Sequence, residues 1–271
     1  AWDIVLKGQA GKTVPLATVL TMSATGSEMN SGAVISRYET KEKYAFYGDY
    51  PVFSILDPET LYSLPKRQVA CGLADTFVHV LEQYMTTPHQ SRLMDRWAEG
   101  ILHTVVEIAP KALADERDYD TMSEYMLSAT LALNDMIRMG VTQDWATHMV
   151  GHEITAYTGM DHGATLAIVQ PKVFHFNFEH KFEKLAQLGE RVFGIVDADK
   201  RKAAEMTIDR ICKFYYEEMG IASSINQYFG KEYDKAWVEE CYAKLNAANV
   251  HFGEDANIDA AVTRDILYKS F

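Results

Sequence analysis

Hydrophobic and polar positions change rhythm once along this chain. Up to about residue 60 the apolar residues come in short runs: VPLATVL (14–20), GAVISRY (32–38), YAFYGDY (44–50) and PVFSIL (51–56). Runs of this length, rich in Val, Ile, Tyr and Phe, read as strands. Gly26, Gly32, Gly48 and Pro51 punctuate them as turns. From Pro65 the period lengthens to that of a helix. LPKRQVACGLADTFVHVLEQYM (64–85) carries its proline near the start, where a missing amide proton does no harm. Helical spacing then recurs over about 91–113, 120–138, 144–157, 165–176, 179–193, 201–219 and 234–248. Gly140, Gly159, Gly194, Gly220 and Gly230 separate these segments, and no fixed-period repeat is visible. The pattern predicts a mainly α protein. A strand-rich piece, residues 1–62, precedes a large helical domain, residues 63–271.

Composition narrows the function. The 271 residues are 48% hydrophobic and long enough for a substantial core. The formal net charge of −12 and the pI of about 5.2 argue against nucleic acid or an anionic membrane as partner. Local donors can still hold an anionic cofactor. No apolar run reaches membrane-spanning length, and the start, AWDIVLKGQAGKTVP, is too polar for a signal peptide. Cys71, Cys212 and Cys241 are odd in number and widely spaced, which suggests reduced thiols in a cytoplasmic protein.

The densest chemistry lies in DWATHMVGHEITAYTGMDHG (144–163), with three histidines in twenty residues. On a helix, residues four apart share a face. His148 and His152 are such a pair, and so are Asp75 and His79. Two helices facing each other would present both pairs to one cation, with His162 arriving from the following turn. Mixed imidazole and carboxylate donors suit Zn2+ or Fe2+. Spacing leaves a second reading open, in which these are separately satisfied polar residues of core or surface. An unpaired Asp75 in so apolar a stretch would be costly, which weakens this second reading and leaves the two open on spacing alone. The order HxxxHE lacks the HExxH arrangement of zinc proteases. His89, His103, His175, His180 and His251 have no comparable partner and read as surface or packing residues.

Between two strand candidates, TMSATGSEMNSGAVIS (21–36) concentrates hydroxyls and glycines. Backbone amides and short hydroxyls suit a pyrophosphate or a nicotinamide amide, though a polar turn has the same composition. No GxGxxG or GxxxxGK[ST] motif is present. GQAGKTVP (8–15) lacks phosphate-loop spacing.

Two stretches together resemble the iron-containing (group III) alcohol dehydrogenases. SILDPETLYSLPKRQVACGLADTFVHVLE (54–82) places Asp57, Pro65, Gly72, Asp75, His79 and Glu82 at the spacings of that family's first signature. DWATHMVGHEITAYTGMDHG is similar to its second. The resemblance runs over essentially the whole chain. ATGSEMNSGAVISR and QDWATHMVGHE look like the NADPH-dependent butanol dehydrogenase and aldehyde reductase branch. The implied architecture is dehydroquinate-synthase-like: a helical metal-binding domain preceded by the remainder of a Rossmann-like α/β nucleotide-binding domain. The resemblance implies metal ligands at Asp75, His79, His148 and His162, for Fe2+ or Zn2+. It implies cofactor contacts at Thr21, Thr25, Val34 and Lys43, for NADP(H) or NAD(H), with Thr21, Thr25 and Lys43 facing the metal across a cleft. His152 falls on the family's further histidine near the metal, either relaying a proton or shaping the pocket. Trp145 and Met149 line the substrate cavity or pack in the core.

The implied reaction is hydride transfer between NAD(P)H and a primary alcohol/aldehyde pair in a cytoplasmic homodimer, with a small aldehyde or alcohol as substrate. One departure stands out. The family's Gly-Gly-Gly-Ser phosphate turn has no counterpart in residues 1–20. The resemblance therefore implies the C-terminal portion of a family member, expected to bind metal, to hold NADPH weakly and to turn over slowly or not at all. Three other readings share parts of the pattern: a Zn-dependent polyol dehydrogenase, a lyase of the dehydroquinate-synthase type, and a catalytically silent metal-binding oligomerisation fragment.

Overall fold

The computed structural model describes residues 2–7, 13–86, 91–114 and 117–271. The protein is mainly α-helical. Helix α1 (Trp2–Lys7) is followed by β1 (Ala17–Val19), β2 (Gly32–Arg37), β3 (Glu42–Tyr47) and β4 (Phe53–Ile55). β1 pairs with β4 in parallel, and β2 with β3 as an antiparallel hairpin in which Val34 faces Ala45. Helices α2 (Lys66–Tyr84), α3 (Arg92–Ala112), α4 (Tyr119–Ala132), α5 (Ala146–Thr158), α6 (His162–Phe176), α7 (Phe178–Leu188) and α8 (Lys200–Lys213) follow. α9 (Ile225–Phe229), α10 (Ala236–Ala247), the pair β5 (His251–Phe252) and β6 (Ile258–Asp259), and α11 (Ala260–Tyr268) complete the chain. Among the described residues no helix is long and apolar enough to cross a membrane.

The core is built around α2, every residue of which from Val69 to Tyr84 is buried. A helix covered on all sides needs no polar stripe, which is why its apolar residues run nearly without a gap. α3, α4, α5 and α6 pack on it. Two glycines set how closely. A Cβ at Gly72 would overlap the Tyr125 hydroxyl and the Ser23 carbonyl, and a Cβ at Gly163 would overlap the Cys71 backbone. The loop after β1 and the start of α6 thus both reach the α2 backbone one turn before Asp75.

The strand runs appear at the expected places, somewhat shortened. Several features differ from the sequence expectation. Residues 2–7 are helical rather than extended. α4 stops at Ala132, short of the expected 138, because side chains take the next carbonyls. Gln83 donates to Ala132 O at 2.7 Å and Asn30 to Leu133 O at 3.1 Å. The expected helices over 179–193 and 201–219 are present, but each ends in a π-helical turn, Gly189–Phe193 and Phe214–Glu218, closed by the left-handed Gly194 and by Met219. The short β5–β6 ladder interrupts a region expected to be almost wholly helical. The five-residue α9 is too short to show a period, and α11 follows the last segment that the pattern resolved.

One buried charge cluster joins distant parts of the chain at the start of α5. Lys181 on α7 donates to Met85 O at 2.6 Å, to Asp144 Oδ2 at 3.1 Å and to Glu254 in the β5–β6 turn. Asp144 Oδ1 in turn accepts from Ala146 N, the first amide of α5, at 2.9 Å. Replacing Lys181 with Met should remove the buried cation that lies between these two acids, at a cost of about 3–5 kcal/mol. Urea unfolding of Lys181→Met measures this. A loss below about 1 kcal/mol, the range of an exposed ion pair, would show that the cluster is not a structural anchor.

Candidate metal centre

α2 presents Asp75, His79 and Glu82 at i, i+4 and i+7, on one buried face. α5 crosses that face and presents His148 and His152. Its N-terminus is an unusual cap. Trp145, immediately before the helix, has φ 63°, and its side chain makes no cap hydrogen bond. The free amides go to carboxylates instead. Ala146 N donates to Asp144 Oδ1 at 2.9 Å, Thr147 N to Glu82 Oε1 at 2.5 Å and His148 N to the same oxygen at 3.2 Å. Negative charge at a helix N-terminus also suits the helix dipole. Glu82 therefore fixes α5 against α2 through the backbone.

The other Glu82 oxygen meets His148 Nδ1. With that nitrogen turned to a carboxylate, Nε2 is left facing Asp75 Oδ1 at 3.4 Å. His79 Nδ1 lies 3.2 Å from the same oxygen, and His162 Nε2 lies 3.8 Å from it. One donor atom each from Asp75, His79 and His148 falls within 4.8 Å of the others, the spacing of a shared ion, and His162 stands just outside that triangle. It is also the most open of the four, with its side chain 23% exposed against 5–6% for the rest. Three buried atoms converge here without a hydrogen-bond partner, Asp75 Oδ1, His79 Nδ1 and His148 Nε2; on His162 the unpartnered atom is Nδ1, while Nε2 is the one turned to Asp75. An orphaned buried polar atom costs about 1–3 kcal/mol. Several around one point form a donor set that fits a divalent cation.

Electrostatics agree with that fit at Asp75, His79 and His162, and differ at His148. Burial alone would raise the Asp75 carboxyl, but the imidazoles of His79, His162 and His148 hold it well below the usual carboxylate range. Burial pushes His79 down to about 4 and His162 down to about 3, so both present neutral rings. Burial also opposes a charge on His148, but Glu82 and Asp75 outweigh it and hold it up at about 9, so a metal bound at Nε2 takes the place of a proton.

The remaining sequence candidates are distributed around this centre. The His152 ring lies 5.1 Å from that of His162 and 6.2 Å from that of His148, beside the triangle and outside it. Burial, and then Lys43, keep its pKa well below the ordinary histidine value. Lys43, on β3, is pushed down to about 8 by burial, against the pull of Asp75. The β2–β3 hairpin thus brings a cation to the metal side of the molecule. Thr21, Thr25 and Val34 are exposed. Their loop is anchored next to α2 by the Tyr125 hydroxyl on Ser23 O, and by Asn30 Nδ2 on Thr25 O at 2.9 Å. Trp145 is half-buried and stands edge-on to His148 and His79, at 5.4 and 6.1 Å between ring centroids. It belongs to the wall of the centre. His103 and His251 are exposed and turned to the backbone carbonyls of Val192 and Ala256, and His175 and His180 are exposed. His89 lies outside the described residues. Glu82 belongs to the first motif, and its part at the centre is signalled in the sequence only by its i, i+3 spacing from His79. The parts played by Asp144 and Lys181 had no local signal.

Comparison with known proteins places this geometry. Residues 69–262 match the model of the Fe-containing alcohol dehydrogenase family, C-terminal, and residues 1–58 match that of iron-containing alcohol dehydrogenase. The NADPH-dependent aldehyde reductase YqhD of Escherichia coli (strain K12) is 42% identical over 98% of this chain and 69% of its own length. A probable NADH-dependent butanol dehydrogenase 1 of Bacillus subtilis (strain 168) is 40% identical over 79% of this chain and 57% of its own. Among solved structures, E. coli K-12 YqhD superposes with a TM-score of 0.94 at 41% identity, covering 100% of this chain and 70% of that one. NADH-dependent butanol dehydrogenase A from Thermotoga maritima superposes at 0.89 with 28% identity, covering 99% and 69%. The chain belongs to the iron-containing alcohol dehydrogenase family.

Proposed function

We propose that this chain carries the metal-dependent catalytic centre for hydride transfer between NAD(P)H and a primary alcohol/aldehyde pair. The observation that carries the reading is the convergence on Asp75 Oδ1 of His79 Nδ1 and His148 Nε2, both without a hydrogen-bond partner, and of His162 Nε2. Asp75, His79, His148 and His162 would hold Fe2+ or Zn2+, three imidazoles and one carboxylate being donors that both metals accept. When bound, such an ion polarises the carbonyl and stabilises the alkoxide. Printed names of relatives, an NADPH-dependent aldehyde reductase and a probable NADH-dependent butanol dehydrogenase, support the substrate class and leave both nicotinamide cofactors in the proposal.

The other residues have separate tasks in this reading. Residues 1–62 supply the nucleotide side and residues 63–271 the metal side. Thr21, Thr25 and Val34 border the cofactor from the exposed loop and hairpin, and Lys43 reaches from the hairpin toward the metal. His152, a neutral ring beside His162, takes or returns the substrate proton, or shapes the pocket around it. Glu82 orients His148 and keeps its Nδ1 occupied, so that Nε2 is the free donor.

Two measurements test this reading. Protein purified without chelators should contain close to one equivalent of divalent metal by elemental analysis. Asp75→Ala should lose it, along with NADPH oxidation at 340 nm in the presence of butanal. Metal content unchanged in Asp75→Ala would place the metal elsewhere. Glu82→Ala should weaken metal binding by roughly 10–100-fold, with Glu82→Gln intermediate because it still accepts from the imidazole. Equal affinities across wild type and both variants would remove Glu82 from the centre.

A further inference from the structure

Of the four ligands in the proposed centre, three lie within buried stretches of helix. His162 stands at the very start of its helix, with its side chain partly open. It opens α6, after the α5 C-cap Gly159 in the left-handed region at φ 71° and the extended Asp161. Asp161 occupies the N-cap position of α6, where a carboxylate ordinarily accepts from the helix's own first amides. Here its side chain makes no cap bond. It turns outward to two other elements. Arg67, in the first turn of α2, pairs with Asp161 Oδ2, and the Tyr228 hydroxyl of α9 donates to the same oxygen at 2.9 Å. Tyr228 OH also accepts from Asp161 N at 3.3 Å and from Arg67 Nη1 at 3.0 Å. The hydroxyl thus grips both the side chain and the backbone of the residue preceding His162.

α9 is well placed to bear this load. Ser224 caps it through Gln227 N at 3.1 Å, and Ile225 N donates to Ser270 O at 2.8 Å. Tyr228 packs edge-on against Phe229, which stacks on Tyr233. From the other side, the near-contact of Gly163 with the Cys71 backbone leaves α6 no room to slide toward α2. His162 is therefore held between a backbone stop on α2 and a three-residue clasp at the surface.

We propose that Arg67, Asp161 and Tyr228 form a clasp that sets the position of His162 at the metal, which makes Asp161 and Tyr228 positioning residues. The proposal rests on the reading of His162 as a ligand. It places control of the fourth ligand in a partly exposed site outside the first coordination sphere, contributed by α2 and α9.

Titration of the metal-free chain with Co2+, in competition with a chromophoric chelator, tests both layers. His162→Ala should weaken Co2+ binding and alter the visible d–d bands. Unchanged affinity and bands would refute His162 as a ligand, and the clasp with it. If His162→Ala shows the loss, Tyr228→Phe and Asp161→Asn should each weaken binding by up to about tenfold, with a shifted d–d band at saturating Co2+. Unperturbed affinity and spectra in both would overturn the clasp while leaving the ligand set standing. In a His162→Ala background the Tyr228→Phe effect should vanish. An equal loss with and without His162 would show that the hydroxyl supports the fold generally, and this too overturns the proposal. Where binding to His162→Ala is too weak to titrate, the saturating spectra of the single variants decide. Thermal unfolding of each metal-free variant separates lost stability from a displaced ligand.

Discussion

The structure turns on one buried carboxylate. Asp75 sits at the centre of the most heavily covered helix in the molecule, and its Oδ1 is approached by three imidazoles without an aligned hydrogen bond. In a dry interior this is costly, and the surrounding architecture is arranged so that it cannot relax. α2 is covered on all sides, the loop after β1 and the start of α6 lie against its backbone at Gly72 and Cys71, and α5 is tied to it by Glu82. The centre is preorganised because every element carrying a donor is also a packing neighbour of α2.

Glu82 couples fold to chemistry most directly. One of its oxygens serves the backbone of α5 and the other serves the ring of His148. The same residue decides where the helix begins and which nitrogen its histidine offers. Asp144 extends the arrangement by linking the first α5 amide to Lys181 and Glu254. The centre is thus supported by shells that become less local in sequence with distance from the metal.

Legibility in the sequence followed the same gradient. The i, i+4 pairs Asp75/His79 and His148/His152 were visible from spacing, because a helix imposes its period on any residues that share a face. Spacing alone ranked His152 with His148. In the structure His152 stands beside the triangle and His162 lies nearer Asp75, since the turn at Gly159 reverses the chain and carries the next helix back over α2. Family resemblance, and not periodicity, is what implies His162 in place of His152. The strand runs before residue 60 and the helices after 65 were readable from pattern. The early end of α4 was not, because it depends on Gln83 and Asn30, which are distant in sequence. Lys181 was equally opaque. In the sequence it is one charge on an amphipathic helix, and only the fold shows it buried between two acids.

The reach of that last cluster bears on the order in which the molecule assembles. The Lys181–Glu254 pair closes a loop of 73 residues, and Glu254 N lies 3.5 Å from Asp144 Oδ2 across 110. Contacts so far apart in sequence form after local helices, since the entropy of closing such loops is spent before the contacts reward it. On a growing chain, Asp75, His79, His148 and His162 all emerge well before Glu254 does. Until it arrives, Lys181 and Asp144 lack their third member and the start of α5 is incompletely anchored. Of the four donors, His148 is the one whose helix start waits for a turn about a hundred residues downstream.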